Sequence, residues 1–240
     1  IQVDSTAWQA SIRRLVPLMG RDDSRATYLG LRFASDHRGH RMLATEGKVF
    51  ARVGVDFDIG TTTIVPPRAV EHIVKYIGKD ASVAVDGARF HVKSGGVSYS
   101  TTTIAGPYPD IEAIFDARSG HSVMFSKEKA QEALRSVLCC NPFQERIRMV
   151  PTGGGFYLRA KSIDGEPAEE FVDAEGSLPS FSVSKFCLQK ALNFSGENVT
   201  IWMEECERRT GGGAQSALVT SELPGELVFA PVALDHEDLK

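Results

Sequence analysis

The sequence has few cysteines, and they are not arranged to bind a metal. None of the four, Cys139, Cys140, Cys187 and Cys206, stands in a C-x-x-C pair or a Cys/His array with the spacing of a structural zinc site. We therefore expect reduced, buried thiols in a cytoplasmic protein. No run of about 18 apolar residues is present to span a bilayer, and no charged start followed by an apolar stretch indicates a secretory signal. The sequence thus predicts no contact with a membrane.

Motifs of catalysis are also missing. No glycine run is followed by the Lys-Ser or Lys-Thr pair of a phosphate-binding P-loop, and there is no G-x-S-x-G elbow. The segment Asp36-His37-Arg38-Gly39-His40 could bind a metal, but it lies in a polar loop between two strand-like runs. Glu166, Glu169 and Glu170 could supply the carboxylate pair of a glycosidase, although a solvated strand is the simpler interpretation. We predict no catalytic residue, no cofactor and no metal site, and hence no enzyme.

The composition is that of a globular protein with a mildly acidic exterior. With 240 residues and 42% apolar content, the chain can bury one large core or two cores of about 120 residues each. A formal net charge of -4 excludes a generally basic coat for nucleic acid. It does not exclude DNA as a partner, because a locally basic face can coexist with an acidic exterior.

Four stretches have the apolar periodicity of an amphipathic helix. The first follows Asp4, the second begins at the Pro66-Pro67 pair, the third follows Ser126, and the fourth contains Leu188. Lysines and arginines lie off each apolar stripe. Each predicted helix therefore has a basic outer flank.

Short runs rich in β-branched and aromatic residues lie between the helices and indicate strands, at residues 28–33, 82–85, 90–92, 199–203 and 227–229. Glycines at 95–96, 153–155 and 211–213 separate such runs, as hairpin turns that need positive φ require. The order of elements then repeats: a helix, several strands, a strand leading into a second helix, and several more strands. We predict an α+β fold built by duplication, with one domain at residues 1–116 and the other at residues 117–240.

Five segments resemble, in the same order, motifs of the β subunit of bacterial DNA polymerase III, the DNA sliding clamp. In the first half they are Ala44-Thr45-Glu46-Gly47-Lys48, Ile64-Val65-Pro66-Pro67-Arg68 and Ile104-Ala105-Gly106-Pro107-Tyr108-Pro109-Asp110. In the second half they are Gly165-Glu166-Pro167-Ala168-Glu169-Glu170 and Phe229-Ala230-Pro231-Val232-Ala233-Leu234. Each motif alone is common, but five in register span nearly the whole chain. They resemble the middle and C-terminal domains of that family.

The resemblance implies a DNA-clamp architecture, in which each repeated domain has two helices on a DNA-facing side and antiparallel sheets outside. It also implies a DNA polymerase processivity factor, a homo-oligomeric ring that encircles duplex DNA without sequence specificity in the bacterial cytoplasm, at the nucleoid. Such a ring needs exchangeable lysine and arginine contacts to phosphates and no rigid donors to base edges. The candidate DNA-facing residues are Arg13, Arg14, Arg21, Lys75, Lys79, Lys127, Lys129, Arg135, Lys185 and Lys190.

The family also has a hydrophobic pocket, where its middle and last domains meet, for short linear motifs of replicative and repair polymerases and of the clamp loader. On the middle-domain side the matching residues are Tyr28, Leu29, Thr45, Gly47, Lys48, Val49, Phe50, Pro109 and Ile114. On the last-domain side they are Val228, Phe229, Ala230, Pro231, Val232 and Leu234, with Phe143 nearby. Apolar side chains framed by backbone polar groups suit an extended peptide. The alternative for Val228, Phe229 and Val232 is an ordinary place in a core strand.

The sequence departs from the family in its domain number and in parts of the pocket. Clamps of this family normally carry three domains and close as dimers, whereas this chain matches two. It is therefore part of a longer clamp, or a two-domain clamp that closes as a head-to-tail trimer. Ala113 and Val49 replace basic pocket residues, and residues 235–240 extend past the usual end. Two other functions stay open: a clamp-like regulator or decoy that binds partner peptides without encircling DNA, and an α+β enzyme with the clamp pattern.

Overall fold

A computed structural model describes residues 1–20, 25–78, 80–110, 112–115, 120–203 and 216–231 of the chain. The chain divides into two compact units, Ile1–Asp110 and Ile111–Lys240. This division lies a few residues before the boundary at 116 and 117 that the sequence predicts, and the exact domain limits stay a prediction. Unit 1 and unit 2 are described in turn.

Unit 1 contains two longer helices, a short helix and two groups of antiparallel strands. The helices are α1 (Ser5–Leu15), α2 (Ala26–Leu29) and α3 (Pro67–Tyr76). The strands are β1 (Gln2–Asp4), β2 (Leu31–Asp36), β3 (Gly39–Thr45), β4 (Val49–Gly54), β5 (Thr63–Val65), β6 (Asp80–Asp86), β7 (Arg89–Ser94) and β8 (Val97–Thr102). One sheet has the order β1-β6-β7-β8, and the second group has the order β5-β2-β3-β4.

Unit 2 has the same kinds of element in the same order. Its helices are α4 (Glu112–Phe115), α5 (Lys127–Cys139) and α6 (Lys185–Phe194). Its strands are β9 (His121–Ser126), β10 (Arg146–Thr152), β11 (Gly155–Lys161), β12 (Pro167–Ser177), β13 (Phe181–Ser184), β14 (Asn198–Met203), β15 (Ala217–Ser221) and β16 (Glu226–Phe229). They run in the order β13-β10-β11-β12-β9-β14-β15-β16.

The long strand β12 joins the two halves of the unit 2 sheet. Residues 167–173 pair with β11, and residues 174–177 pair with β9 on the other side of the strand. Leaving aside the short α2 and α4, each unit follows one pattern: strand, helix, four strands, helix, three strands. The predicted repeat and the predicted α+β fold are therefore confirmed.

The helices form where the apolar periodicity predicts them. Asp4 caps α1, because its carboxylate accepts a hydrogen bond from the backbone N–H of Thr6 at 2.9 Å. Trp8 and Ile12 on its inner stripe are buried. The first helix ends sooner than the apolar stripe does, and a turn of 3-10 helix follows at Val16–Leu18. Pro17 in that turn has no backbone N–H to continue the α-helix.

The strand predicted at residues 28–33 is wrong in its first half. Residues 26–29 form the short helix α2, and the strand β2 begins only at Leu31. The Tyr28 carbonyl accepts a hydrogen bond from the Gly20 backbone N–H at 2.8 Å, which fixes this turn locally. A run of a few apolar residues does not separate a strand from a buried helical turn by periodicity alone.

Aromatic side chains fill the core of unit 1. The Phe33 ring stacks on Phe90 at 5.4 Å between centroids, and Trp8 lies against both Phe33 and Phe57 at 6.3 and 6.0 Å. In unit 2 the Phe125 and Phe156 rings meet edge to face at 5.1 Å. Such pairs contribute about 0.5–1.5 kcal/mol each beyond their buried area. These cores hold the helices against the sheets in each unit.

The hairpin turns agree with the glycine positions where the structure describes them. Gly95 lies between β7 and β8 with φ of 54°, and Gly154 lies between β10 and β11 with φ of 87°. Both values are in the left-handed region that glycine adopts without a steric penalty. The predicted turn at residues 211–213 lies outside the described residues.

Candidate functional site

Each unit brings its two longer helices side by side. In unit 1, the Gln9 side-chain amide of α1 donates to the Ile77 carbonyl just after α3, and the Arg13 guanidinium donates to the Val74 carbonyl at 3.4 Å. In unit 2, Gln131 of α5 donates to Asn193 of α6 at 3.1 Å. Each unit therefore presents a surface formed by a helix pair, which we call its helix surface.

The helices differ in charge from the rest of the chain. Together α1, α3, α5 and α6 contain nine lysines and arginines and three glutamates, a formal charge of +6. The whole chain carries -4, so all other residues together carry -10. The three glutamates, Glu71, Glu128 and Glu132, are exposed. Helices α3 and α5 therefore carry both basic and acidic residues, whereas the charged residues of α1 and α6 are all basic.

On the unit 1 helix surface, Arg13 and Lys75 are exposed and Arg14 is partly buried. The Lys75 ammonium lies 4.9 Å from the centroid of the Tyr76 ring, and that ring is itself half exposed. Two other candidates for DNA contact, Arg21 and Lys79, lie outside the described residues.

On the unit 2 helix surface, Lys129 and Arg135 of α5 are exposed, and Lys127, Lys185 and Lys190 are partly buried. The Lys127 and Lys185 ammonium groups donate to the backbone carbonyls of Ser195 at 2.9 Å and Pro142 at 2.7 Å.

Lys129 forms an ion pair with Asp173 on β12 at 2.8 Å, and the hydrogen bond that its ammonium donates to this carboxylate raises the pKa of Lys129. Some of the lysines predicted to contact DNA phosphates thus already form hydrogen bonds within the protein.

The turn between β3 and β4 carries several of the residues matched to the family's peptide pocket. The Thr45 hydroxyl accepts from the Gly47 backbone N–H at 2.8 Å and donates to the Val49 carbonyl at 2.9 Å. Gly47 has φ of 99°, and a Cβ there would lie 3.3 Å from a terminal nitrogen of Arg25 and 3.5 Å from the Tyr28 ring. The positive φ of the turn therefore favours glycine, whereas a Cβ would meet the Tyr28 ring only at an ordinary contact distance.

The residues of unit 1 that match the family's peptide pocket fall into two groups, exposed and buried. Lys48 is exposed, and Tyr28, Leu29, Gly47, Phe50 and Pro109 are partly buried, so all of these can touch a ligand. Thr45 and Val49 are fully buried, and their part is to hold the turn. The side chain of Ile114 lies outside the described residues.

Two arginines and a second tyrosine complete this surface, and the sequence analysis missed them. The Arg25 guanidinium lies 5.3 Å from the Tyr28 ring centroid, and the Arg32 guanidinium lies 4.9 Å from that of Tyr108. The two tyrosine rings are 6.4 Å apart. The only hint in the sequence is an arginine inside an otherwise apolar strand start, Leu31-Arg32-Phe33.

In unit 2 the matched residues divide in the same way. Val228 and Phe229 are buried at 2% and 0% exposure, as core strand residues are. Ala230 is exposed, Pro231 is partly buried, and Phe143 is 83% exposed in the loop after α5. Val232 and Leu234 lie outside the described residues, as do residues 235–240.

The groups weighed for metal binding or catalysis have local partners. His40 lies 3.5 Å from Asp58, Glu169 forms an ion pair with Arg159 at 2.7 Å, and Glu170 accepts a hydrogen bond from the Ser136 hydroxyl.

Among the described residues, no three His, Cys, Asp or Glu side chains come together as metal ligands. Cys187 is buried, as expected, but Cys139 and Cys140 at the end of α5 are exposed, so the expectation of buried thiols is wrong for them. Cys206 lies outside the described residues. No helix in the described ranges is both long and apolar enough to cross a membrane.

Known proteins with the same architecture decide the fold. A DnaN sliding clamp from Bartonella birtlesii, solved bound to griselimycin, superposes with a TM-score of 0.83 at 16% identity, over 98% of this chain and 66% of that one. A DNA polymerase III β subunit from Thermotoga maritima gives 0.84 at 13% identity, over 98% and 65%. One from Streptococcus pyogenes gives 0.84 at 16% identity, over 98% and 66%.

This chain has the bacterial sliding-clamp fold. A curated β sliding clamp from Proteus mirabilis is 24% identical to it over 188 residues, which cover 72% of this chain and 51% of that protein. No protein-family model matches the chain. The resemblance to the sliding clamps is therefore confirmed over most of the sequence, and the chain spans about half the length of the curated clamp it matches.

Proposed function

We propose that this chain serves as a DNA polymerase processivity factor, a non-catalytic sliding clamp that encircles duplex DNA in the bacterial cytoplasm. The observation that carries the proposal is the charge of +6 on the four longer helices of a chain whose net charge is -4. Lysine and arginine contacts to phosphate do not depend on base sequence. The acidic remainder of the chain repels DNA and so favours its contact with the helices.

Ring assembly is the second part of the proposal, and two strand edges support it. In unit 1, β8 is the last strand of its sheet and contains no charged residue. In unit 2, residues 167–173 of β12 pair with β11 and with no other strand of the described ranges. An unpaired edge can accept a strand from another copy. A contact between two different edges is head to tail, and it closes into a ring when the rotation between copies is an integral fraction of a turn.

The charges beside these edges are complementary. Arg89 and Lys93 on β7 lie next to β8, whereas Glu169 and Glu170 stand on β12. Rim charges of opposite sign guide association and fix its register. We propose that β8 of one copy pairs with β12 of the next.

A charge exchange tests this interface by light scattering over a range of concentrations. Lys93→Glu and Glu170→Lys should each shift the chain toward the monomer, and the double variant should restore the assembly of the unchanged protein. An assembly that neither single exchange weakens would contradict pairing through these edges. A chain that is monomeric at every concentration would contradict self-assembly of these two units.

Partner docking is the third part of the proposal. Tyr28, Leu29, Gly47, Lys48 and Pro109 are partly or fully exposed in unit 1, and aromatic anchors at such a surface suit a short hydrophobic peptide. We propose that peptides of replicative and repair polymerases and of the clamp loader bind here.

Two binding measurements separate a clamp from a peptide-binding decoy. A clamp should bind duplexes of unrelated sequence with equal affinity, and that affinity should fall steeply with salt. Peptide binding without any DNA binding would favour the decoy and contradict the clamp.

A further inference from the structure

A groove of about 390 Å³ lies in unit 1, away from the helix surface. It runs between β5, the turn that joins β6 to β7, and the segment that follows β8. None of its lining residues belongs to α1 or α3, and the polar ones are Arg32, Thr61, Thr62, Thr63, Thr103 and Tyr108. Among the described residues that line it there is no aspartate or glutamate. The groove is therefore a cationic site with several hydroxyl groups.

Backbone hydrogen bonds hold the walls of the groove in place. The Thr103 N–H donates to the Ala88 carbonyl at 2.8 Å, and the Ile104 N–H donates to the Ile64 carbonyl at 2.9 Å. These bonds connect the segment after β8 to both neighbouring walls. Small-molecule sites in proteins are usually preformed clefts of about 300–1,000 Å³, and the volume of this groove lies in that range.

Arg32 is the only cation among the described residues that line the groove, and its hydrogen bonding is incomplete. Its Nε atom is buried and has no hydrogen-bond partner among the described residues. Its guanidinium rests on the Tyr108 ring at 4.9 Å, a contact that orients the group without using its N–H donors. An arginine does not lose its charge in a protein, and a buried donor without a partner is unfavourable. Arg32 as a whole is partly exposed and lines the groove, so an anion there would lie beside a guanidinium whose Nε–H lacks an acceptor.

We propose that this groove binds a small ligand through an oxyanion, a carboxylate or a phosphate group, held by Arg32 and by the hydroxyls of Thr61 and Thr62. The planar guanidinium matches the geometry of both anions. Thr61 and Thr62 are exposed at the rim and can donate to the same oxyanion. Arg32 and Tyr108 also border the surface proposed for partner peptides, but the anion site uses residues of unit 1 alone and its test does not depend on peptide binding.

Nuclear magnetic resonance of the full chain labelled with nitrogen-15 tests the site directly, because it observes the Arg32 Nε–H itself. Sodium phosphate and sodium acetate are titrated separately, with sodium chloride used to keep the ionic strength constant. The Arg32 Nε–H signal should shift saturably with an apparent Kd of about 1 mM or tighter, and the amides of Gly87 and Gly106 should shift with it. A response to phosphate alone or to acetate alone identifies the anion.

Variants give the matched controls. Arg32→Gln should abolish the shifts of the Gly87 and Gly106 amides, whereas Arg38→Gln, which removes one arginine from the β2–β3 turn of the same unit, should leave them unchanged. Thr62→Val replaces a hydroxyl at the rim by a methyl group and should weaken binding severalfold. This variant tests the site independently if Arg32→Gln does not fold. Shifts that grow linearly without saturation, or that equal those of chloride alone, would overturn the proposal.

Discussion

The ion pair between Lys129 and Asp173 predicts how a single substitution changes the salt dependence of DNA binding. The two groups are 2.8 Å apart, and their side chains are 59% and 68% exposed. A DNA phosphate can therefore reach Lys129, but it must displace the carboxylate to do so. Asp173→Asn keeps the shape of the side chain and removes its charge. We expect it to release Lys129 for contact with phosphate.

The magnitude follows from counterion release. Each phosphate contact changes the slope of log K against log salt by about 0.9. Over a fourfold rise in salt, from about 50 to about 200 mM, one contact therefore accounts for about a 3.5-fold change in affinity. Asp173→Asn should make the slope steeper by up to about 0.9. Arg135→Gln removes an exposed cation of the same helix and should make the slope shallower by a similar amount.

Fluorescence anisotropy of a labelled duplex, measured across this range of salt, gives the slopes. Glu175→Gln is the matched control, because it removes the same charge two residues further along β12 from a side chain that is exposed and has no ion pair with a described residue. Equal slopes for Asp173→Asn and Glu175→Gln, or an unchanged slope for Arg135→Gln, would refute phosphate contact by these side chains of α5.

Three further predictions concern stability, measured by urea unfolding. Phe33→Ala should cost about 3–5 kcal/mol, since Phe33 is 1% exposed, and a loss below about 1 kcal/mol would contradict the packing. Asp36→Asn should cost about 1–2 kcal/mol at neutral pH, discounted for the exposed carboxylate. The hydrogen bond from Arg41 lowers the pKa of Asp36 in the folded protein. The difference in unfolding free energy between the two proteins should therefore be fully present above the unfolded pKa of about 3.9 and should fade as the pH falls toward the folded pKa. A difference that does not change with pH would contradict this ion pair. Gly47→Ala should cost about 1–3 kcal/mol because its φ is 99°, whereas Gly54→Ala, with open space around it, should cost less.

The long amphipathic helices and the repeat could be predicted because their signals are local. Asp4 and Pro67 mark helix starts in the sequence, and the apolar stripe continues over several turns in each helix. Short elements carry no such signal. The turn at Tyr28 became a helix because it packs locally with Gly20 and Gly47, and these contacts involve residues too far apart in sequence to form a pattern.

For the candidate surfaces, the sequence predicts which types of residue take part but not which groups they contact. The sequence places Lys129 on the outer flank of α5, but not its pairing with a carboxylate 44 residues away. Likewise, Val228 and Phe229 belong to a matched motif, and only the fold shows that both are buried. Arg32 was missed because tertiary packing, not spacing, brings it to the Tyr108 ring. Arg25 lies only three residues before Tyr28, and it was missed because the short helix α2, which brings the two together, was not predicted.

The retention of the assembled protein on DNA tests the central claim most directly. The protein is loaded onto a covalently closed circular duplex, freed from unbound protein by gel filtration, and followed before and after one restriction cut. A sliding clamp should stay with the circle at moderate salt and leave once the circle is linearised, because it is held by topology. Equal retention on the circular and the linear DNA, or none on either, would contradict a ring that encircles DNA.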